Sequence, residues 1–186
     1  PEIWGPAVWA LFHALTENVK ETTYPAVSHS LINMIVRICK FLPCPDCSAD
    51  ASRFLAKTRF SDIKTKQHLK TLMYIFHNYV NVKKRKPLFN YSQLNIYNNA
   101  NIINVANNFI SKYHTKGNMN LIAESFQRKL VIKDFKNWLT KNINAFMPVI
   151  NIPIQIKPEE AVIVEETKSI SDPIVEENES SDESVH

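Results

Sequence analysis

Glycine is almost missing from this chain, at 2 of 186 residues. No segment alternates strictly between apolar and polar residues either. Together these absences argue against a sheet-rich fold and for helices. Cysteine is nearly as sparse, at 3, too few for the disulfide framework of a small secreted domain. No apolar run is long enough to span a bilayer. The opening Pro1-Glu2-Ile3-Trp4-Gly5 carries no signal-peptide pattern, so nothing predicts secretion. What is present suffices for a packed domain. Apolar residues make up 45%, and the length allows one domain with extensions.

Charge is divided unevenly. Residues 1–156 carry 20 Lys and Arg against 8 Asp and Glu, whereas residues 157–186 carry 2 Lys against 10 acids. A basic body with an acidic tail fits nucleic-acid binding, self-association or simple solvation. The basic residues of the second half (Lys112, Lys116, Arg128, Lys129, Lys133, Lys136, Lys141) are spread out. They predict a solvated face rather than a nucleic-acid interface.

Apolar periodicity predicts helices over about 6–20, 28–41, from the C-x-x-C onward, and 66–84. Pro6 suits a first turn, Tyr24-Pro25 ends the first helix, and Ser28 or Ser30 caps the second. Lys86-Pro87 closes the fourth. Residues 90–108 hold eight asparagines. Two further amphipathic stretches, about 96–114 and 119–146, are separated around Gly117. From about 149 the prolines, acids and serines have the composition of a disordered tail. In that tail the repeated Ile-Val-Glu-Glu is a chance match, and Ser180 and Ser181 before Asp182 and Glu183 form a weak acidic-directed phosphorylation pattern.

Cys44 and Cys47, in Leu42-Pro43-Cys44-Pro45-Asp46-Cys47, are the chemically telling pair. The spacing admits a redox dithiol, half a zinc site, or two packing cysteines. There is no second C-x-x-C, and His77 lies thirty residues beyond Cys47, outside finger spacing, so the redox pair is the better reading. Both cysteines fall at a helix start, where unpaired N–H groups and the macrodipole stabilise a thiolate. A thioredoxin-like fold needs a strand before the motif, and none is predicted. Cys39 reads as a buried core thiol.

Trp9, His13 and His77 lie on apolar helix faces. Singly, such residues are more often core; beside a dithiol they could line a planar cofactor. His77, Asn81 and Lys84 recur at i, i+4 and i+7, with Asn78 adjacent. Bordering Met73, Phe76 and Val80, they point to a bound polar ligand.

Four motifs in order make the chain resemble the Erv/ALR family of FAD-linked sulfhydryl oxidases, most closely the versions in large DNA viruses. They are Trp4-Gly5-Pro6-Ala7-Val8-Trp9-Ala10-Leu11-Phe12-His13, the Cys44–Cys47 motif, Phe76-His77-Asn78-Tyr79-Val80-Asn81, and Lys86-Pro87-Leu88-Phe89. The resemblance covers about residues 3–94. It implies an all-α fold: an FAD-binding four-helix bundle with a short fifth helix. The implied division is an oxidase domain at 1–94, a helical extension at 95–148 and an acidic disordered tail at 149–186. By family role, Cys47 is the flavin-proximal sulfur and Cys44 meets the substrate. Gly5, Trp9, His13, His77, Asn78, Asn81, Lys84 and Lys86 contact FAD, and no metal is implied. Electrons pass from the thiols of substrate proteins, here viral ones, through the dithiol to FAD. Dioxygen then takes them, giving hydrogen peroxide. A homodimer is implied, located in the host cytoplasm or the virion.

The chain departs from the family in three places. It has no distal shuttle dithiol. Tyr91 stands where a cysteine often follows the last motif, and Leu72 and Ile75 stand where Trp and His are common. Two rival readings are a virion structural or interaction protein on an oxidase-like scaffold, and a zinc module using Cys39, Cys44, Cys47 and a His.

Overall fold

Three helices begin at prolines. The computed structural model describes residues 2–113 and 122–146. Within them, α1 spans Gly5–Asn18, α2 Tyr24–Lys40 and α3 Pro45–Ala56, each with a proline in its first two positions. There the missing N–H has no intrahelical partner to lose, and the fixed φ already suits a helix. α4 spans Lys66–Lys83, α5 Ile102–Tyr113 and α6 Ile122–Asn142. Short 3-10 turns occupy Phe60–Asp62, Tyr91–Tyr97 and Ile143–Ala145. The described residues form an all-α bundle, with one isolated bridge between Val19 and Phe146. No described helix is long and apolar enough to cross a membrane.

Two boundaries differ from expectation. Tyr24-Pro25 opens α2 instead of closing α1, which ends at Asn18. The serines expected as caps lie inside α2, and their hydroxyls donate backward, Ser28 to the Pro25 carbonyl and Ser30 to the Val27 carbonyl. α5 begins at Ile102, not near 96. Asn90 and Gln93 exchange bonds in a capping box that sets up the 3-10 turn first. α4 ends in a Schellman pattern. Arg85 adopts φ 54°, its N–H meets the Val82 carbonyl, and the Lys86 N–H reaches the Asn81 carbonyl at 2.9 Å. That turn, rather than Pro87 alone, aims Lys86.

One core joins all six helices. α1 runs through its middle, with Leu11, Ala14 and Leu15 fully buried. It packs against α4 and α5, while α2 packs against α3 and α6. The Trp138 indole N–H donates to the Ser30 hydroxyl at 3.0 Å, and Arg37 pairs with Asp134, so α6 is fastened to α2. Arg128 does not join the solvated basic face. It is buried in α6, near enough to Tyr113 for the phenol to feel its charge. Glu17 and Lys70 form an ion pair at 2.7 Å between α1 and α4. Tyr91, which stands where a cysteine is common in the resembled family, accepts through its hydroxyl from Gln67 Nε2 at 2.7 Å and ties the 3-10 turn to α4. Gly117, Lys116, the tail from 149, its repeated Ile-Val-Glu-Glu, Ser180 and Ser181 lie outside the described residues.

Candidate active site

Cys44 is the N-cap of α3: its Sγ accepts from the Cys47 N–H at 3.2 Å. The two are joined as a disulfide, with Cα atoms 5.2 Å apart. Pro45 and Asp46 complete a first turn whose free N–H groups favour negative charge on either sulfur once the bond opens. Cys44 is half-buried at the helix end. Cys47, one turn on, lines a cleft of about 330 Å³ between α1, α3 and α4.

The cleft has an aromatic wall and a cationic mouth. From α1 come Gly5, Trp9 and Phe12; from α4 come Phe76, His77 and Asn81. The Trp9 ring lies parallel to His77 at 4.1 Å and edge-on to Phe76 at 5.1 Å. A Cβ built on Gly5 would meet nothing within 4 Å, so the missing side chain leaves open space along this wall. Lys84 and Lys86 stand at the mouth. Lys83 is there too, but Asp50 Oδ1 accepts from it at 3.4 Å and pairs with Arg53 at 3.0 Å.

Seven of the ten residues singled out in the sequence line this cleft: Gly5, Trp9, Cys47, His77, Asn81, Lys84 and Lys86. Three do not. Cys44, the N-cap of α3, is not among the lining residues. His13 sits behind the wall, fully buried, with Nε2 2.9 Å from Nδ1 of His77. Asn78 commits both halves of its side-chain amide to the backbone of Phe89, accepting from its N–H at 2.8 Å and donating to its carbonyl at 3.0 Å. That clamp lays the Phe89 ring on His77 at 4.7 Å and on His13 at 5.3 Å. Sequence reasoning missed Tyr97, which lines the cleft and stacks on His13 at 5.2 Å. It belongs to a 3-10 turn without helical periodicity, so no spacing marks it. Cys39 is buried, as expected of a core thiol, and also reaches the cleft; burial raises its thiol well above the usual range.

Among the described residues, no three of His, Cys, Asp and Glu converge as a metal ligand set.

The imidazole pair is held neutral. Burial first, then His77, pushes His13 from 6.5 down to about 3. Burial first, then the nearby Lys86 charge, pushes His77 down to about 4. His13 Nδ1 has no partner, and an unpaired acceptor is tolerated better than an unpaired donor. The preferred arrangement therefore has His13 Nε2–H donating to His77 Nδ1, which leaves His77 protonated at Nε2.

A pH dependence follows from the sign of these shifts. Unfolded, both rings take a proton near 6.5; folded, they resist it until about 4 and 3. The unfolded state thus binds more protons in that window. Stability is full above about 6.5, is lost progressively as pH falls below that, and the loss is complete once pH has passed through 4 and 3. The slope reaches about 1.4 kcal/mol per pH unit for the fully buried His13 and less for the partly exposed His77, whose charge solvent screens. Urea unfolding at pH 7, 6 and 5 checks this. The midpoint should fall at each step, and His13→Gln should flatten the trend; a midpoint that holds or rises on acidification contradicts it.

The Erv1/Alr family model matches residues 6–101. A protein of Invertebrate iridescent virus 3, 096R, named as a candidate FAD-linked sulfhydryl oxidase, is 25% identical over 88 residues, 47% of this chain and 60% of that protein. The mitochondrial FAD-linked sulfhydryl oxidase erv1 of Schizosaccharomyces pombe is 29% identical over 87 residues, 46% of this chain and 48% of that one. The match thus spans about half the length of these curated relatives. No solved structure matches the chain.

Proposed function

The chain belongs to the Erv1/Alr family, and on that premise we propose that it is an FAD-linked thiol oxidase that forms disulfides in protein substrates. The observation that carries the reading is the placement of Cys47. One sulfur of a helix-capping disulfide lies on the wall of the cleft that Trp9 and His77 share. The residues present fit FAD. Parallel and edge-on aromatic rings suit a flat ring system, the open space at Gly5 allows close approach to the backbone, and Lys84 and Lys86 suit a pyrophosphate. Trp9, His77 and Asn81 would hold the cofactor directly. His13 would act by fixing His77, and Asn78 by fixing Phe89. The chemistry FAD supplies when bound is two-electron acceptance from a dithiol and reoxidation by dioxygen to hydrogen peroxide.

The protein's own steps are sulfur exchange. A substrate thiolate attacks Cys44 Sγ, the bond to Cys47 breaks, and Cys47 leaves as a thiolate that the first turn of α3 stabilises. A second substrate thiolate attacks the substrate sulfur of the mixed disulfide and releases Cys44. One substrate dithiol becomes a disulfide, and the Cys44–Cys47 bond becomes a dithiol. Cys44 takes the substrate-facing role because it lies outside the cleft; Cys47 faces in. The viral relative supports viral proteins as substrates and a site of action in the host cytoplasm or virion. Family resemblance supports a homodimer.

The visible absorption spectrum of the purified protein tests the proposal. A flavin band that survives desalting and is released on denaturation is expected. A folded, colourless protein that cannot be reconstituted with FAD would sink it.

A further inference from the structure

We propose that Tyr113 and Ser48 are positioning residues that hold the redox pair in place by capping the end of α2. Tyr113 lies on α5, beyond the segment that matches the family model. The inference rests on reading Cys44 and Cys47 as a redox pair, but not on the cofactor.

A helix ends with carbonyls that have no intrahelical donor. α2 ends at Lys40, and its cap, Phe41, has φ −125°, so no left-handed residue turns the chain back to cover them. The Phe41 N–H reaches only the Ile38 carbonyl, at 3.2 Å, and two side-chain hydroxyls cover the end of the helix. Ser48 Oγ lies 3.0 Å from the Cys39 carbonyl and 2.5 Å from that of Lys40. Tyr113 Oη lies 2.9 Å from the Ile38 carbonyl and 2.8 Å from that of Phe41. Each hydroxyl has one hydrogen, which it shares between two acceptors. Four consecutive carbonyls are therefore held from two sides.

Both holders bear on the disulfide. Ser48 follows Cys47 directly, so its bonds tie the first turn of α3 to the end of α2. From the other side Tyr113 is fully buried, with its ring against Phe109 at 4.8 Å, and cannot swing away. Between this turn and Cys44 there are only Leu42 and Pro43. Cys39 and Leu42, from the same stretch, line the cleft with Cys47. The turn is thus the platform that fixes where the disulfide stands relative to the cleft. Without the Tyr113 hydroxyl the part-buried Phe41 carbonyl loses its side-chain donor, and without that of Ser48 the Cys39 and Lys40 carbonyls lose theirs, so the turn loosens. The two sulfurs then spend less time in bonding geometry, and the disulfide becomes easier to reduce.

The test is a redox titration of the full chain against dithiothreitol, which forms its cyclic disulfide as the Cys44–Cys47 bond is reduced. Alkylation and mass spectrometry count the reduced pair. Tyr113→Phe should shift the equilibrium toward the dithiol roughly three- to tenfold, the effect of about one lost hydrogen bond. Ser48→Ala should shift it the same way. Tyr24→Phe is the control, because the buried Tyr24 hydroxyl donates to the Ile63 carbonyl at 3.3 Å, away from the redox turn. It should titrate like the parent while losing a comparable bond. The proposal is overturned if Tyr113→Phe and Ser48→Ala both titrate like the parent, or if Tyr24→Phe shifts as far as they do. The assay reads sulfur alone. A missing flavin would defeat the oxidase reading and leave this result standing.

Discussion

Replacing Cys47 by serine is expected to lower turnover of a dithiol substrate by about a thousandfold or more, because the reaction has no second route from substrate to cleft. Cys39, the one remaining cysteine, cannot substitute. It is buried, and that burial raises its thiol pKa and keeps it a thiol. Cys44→Ser should lose turnover to a similar extent for a different reason, since no sulfur then faces the substrate. Thiol labelling separates the two variants. In Cys44→Ser, Cys47 is a free thiol in the first turn of α3. It should alkylate with an apparent pKa below the ordinary value near 8.5. In Cys47→Ser, Cys44 stands at the N-cap, half-buried and outside the cleft, and should label readily. Neither variant should label Cys39 while folded. Oxygen consumption retained in both variants would refute a role for the pair. Equal loss, with labelling as described, would assign the outer and inner roles proposed from the cleft.

The helical character of the chain was legible because two independent signals agreed: almost no glycine and a persistent 3.6 period. The wall of the cleft was legible for a related reason. His77, Asn81 and Lys84 are spaced so that one helix face carries all three, and spacing is a local property. What failed was tertiary or ambiguous. Tyr24-Pro25 can close one helix or open the next. Local sequence does not decide, because a proline ends a helix behind it and suits the first turn of one ahead. Arg128 was grouped with surface charges by composition, yet it is buried. Asn78 was legible as part of a motif, whereas the hold of its amide on the Phe89 backbone is visible only once the chain folds back. Tyr113 carries no motif at all; its partners are carbonyls, which sequence does not display.

Cutting the chain after residue 101, where the family match ends, is expected to abolish cooperative folding rather than release a working domain. The cut removes Phe109 and Tyr113 of α5 and Val131, Phe135, Trp138 and Leu139 of α6, all in the one core. Each large apolar side chain buried contributes about 1.5–3 kcal/mol. Six of them together reach about 9–18 kcal/mol, as much as the whole net stability of a typical domain, about 5–15 kcal/mol. The loss also strips the partners that cover α1 and the end of α2, so the cleft loses its support from behind. A chain ending at residue 146 keeps every core residue named here. It should melt like the full chain and retain whatever flavin the full chain holds. Circular dichroism melting and flavin retention on desalting measure both cuts. A chain ending at 101 that melts cooperatively and keeps its flavin would show that α5 and α6 are an appendage. If it fails while the chain ending at 146 succeeds, α5 and α6 are structural parts of the redox domain, and Tyr113 has a route by which to act on it.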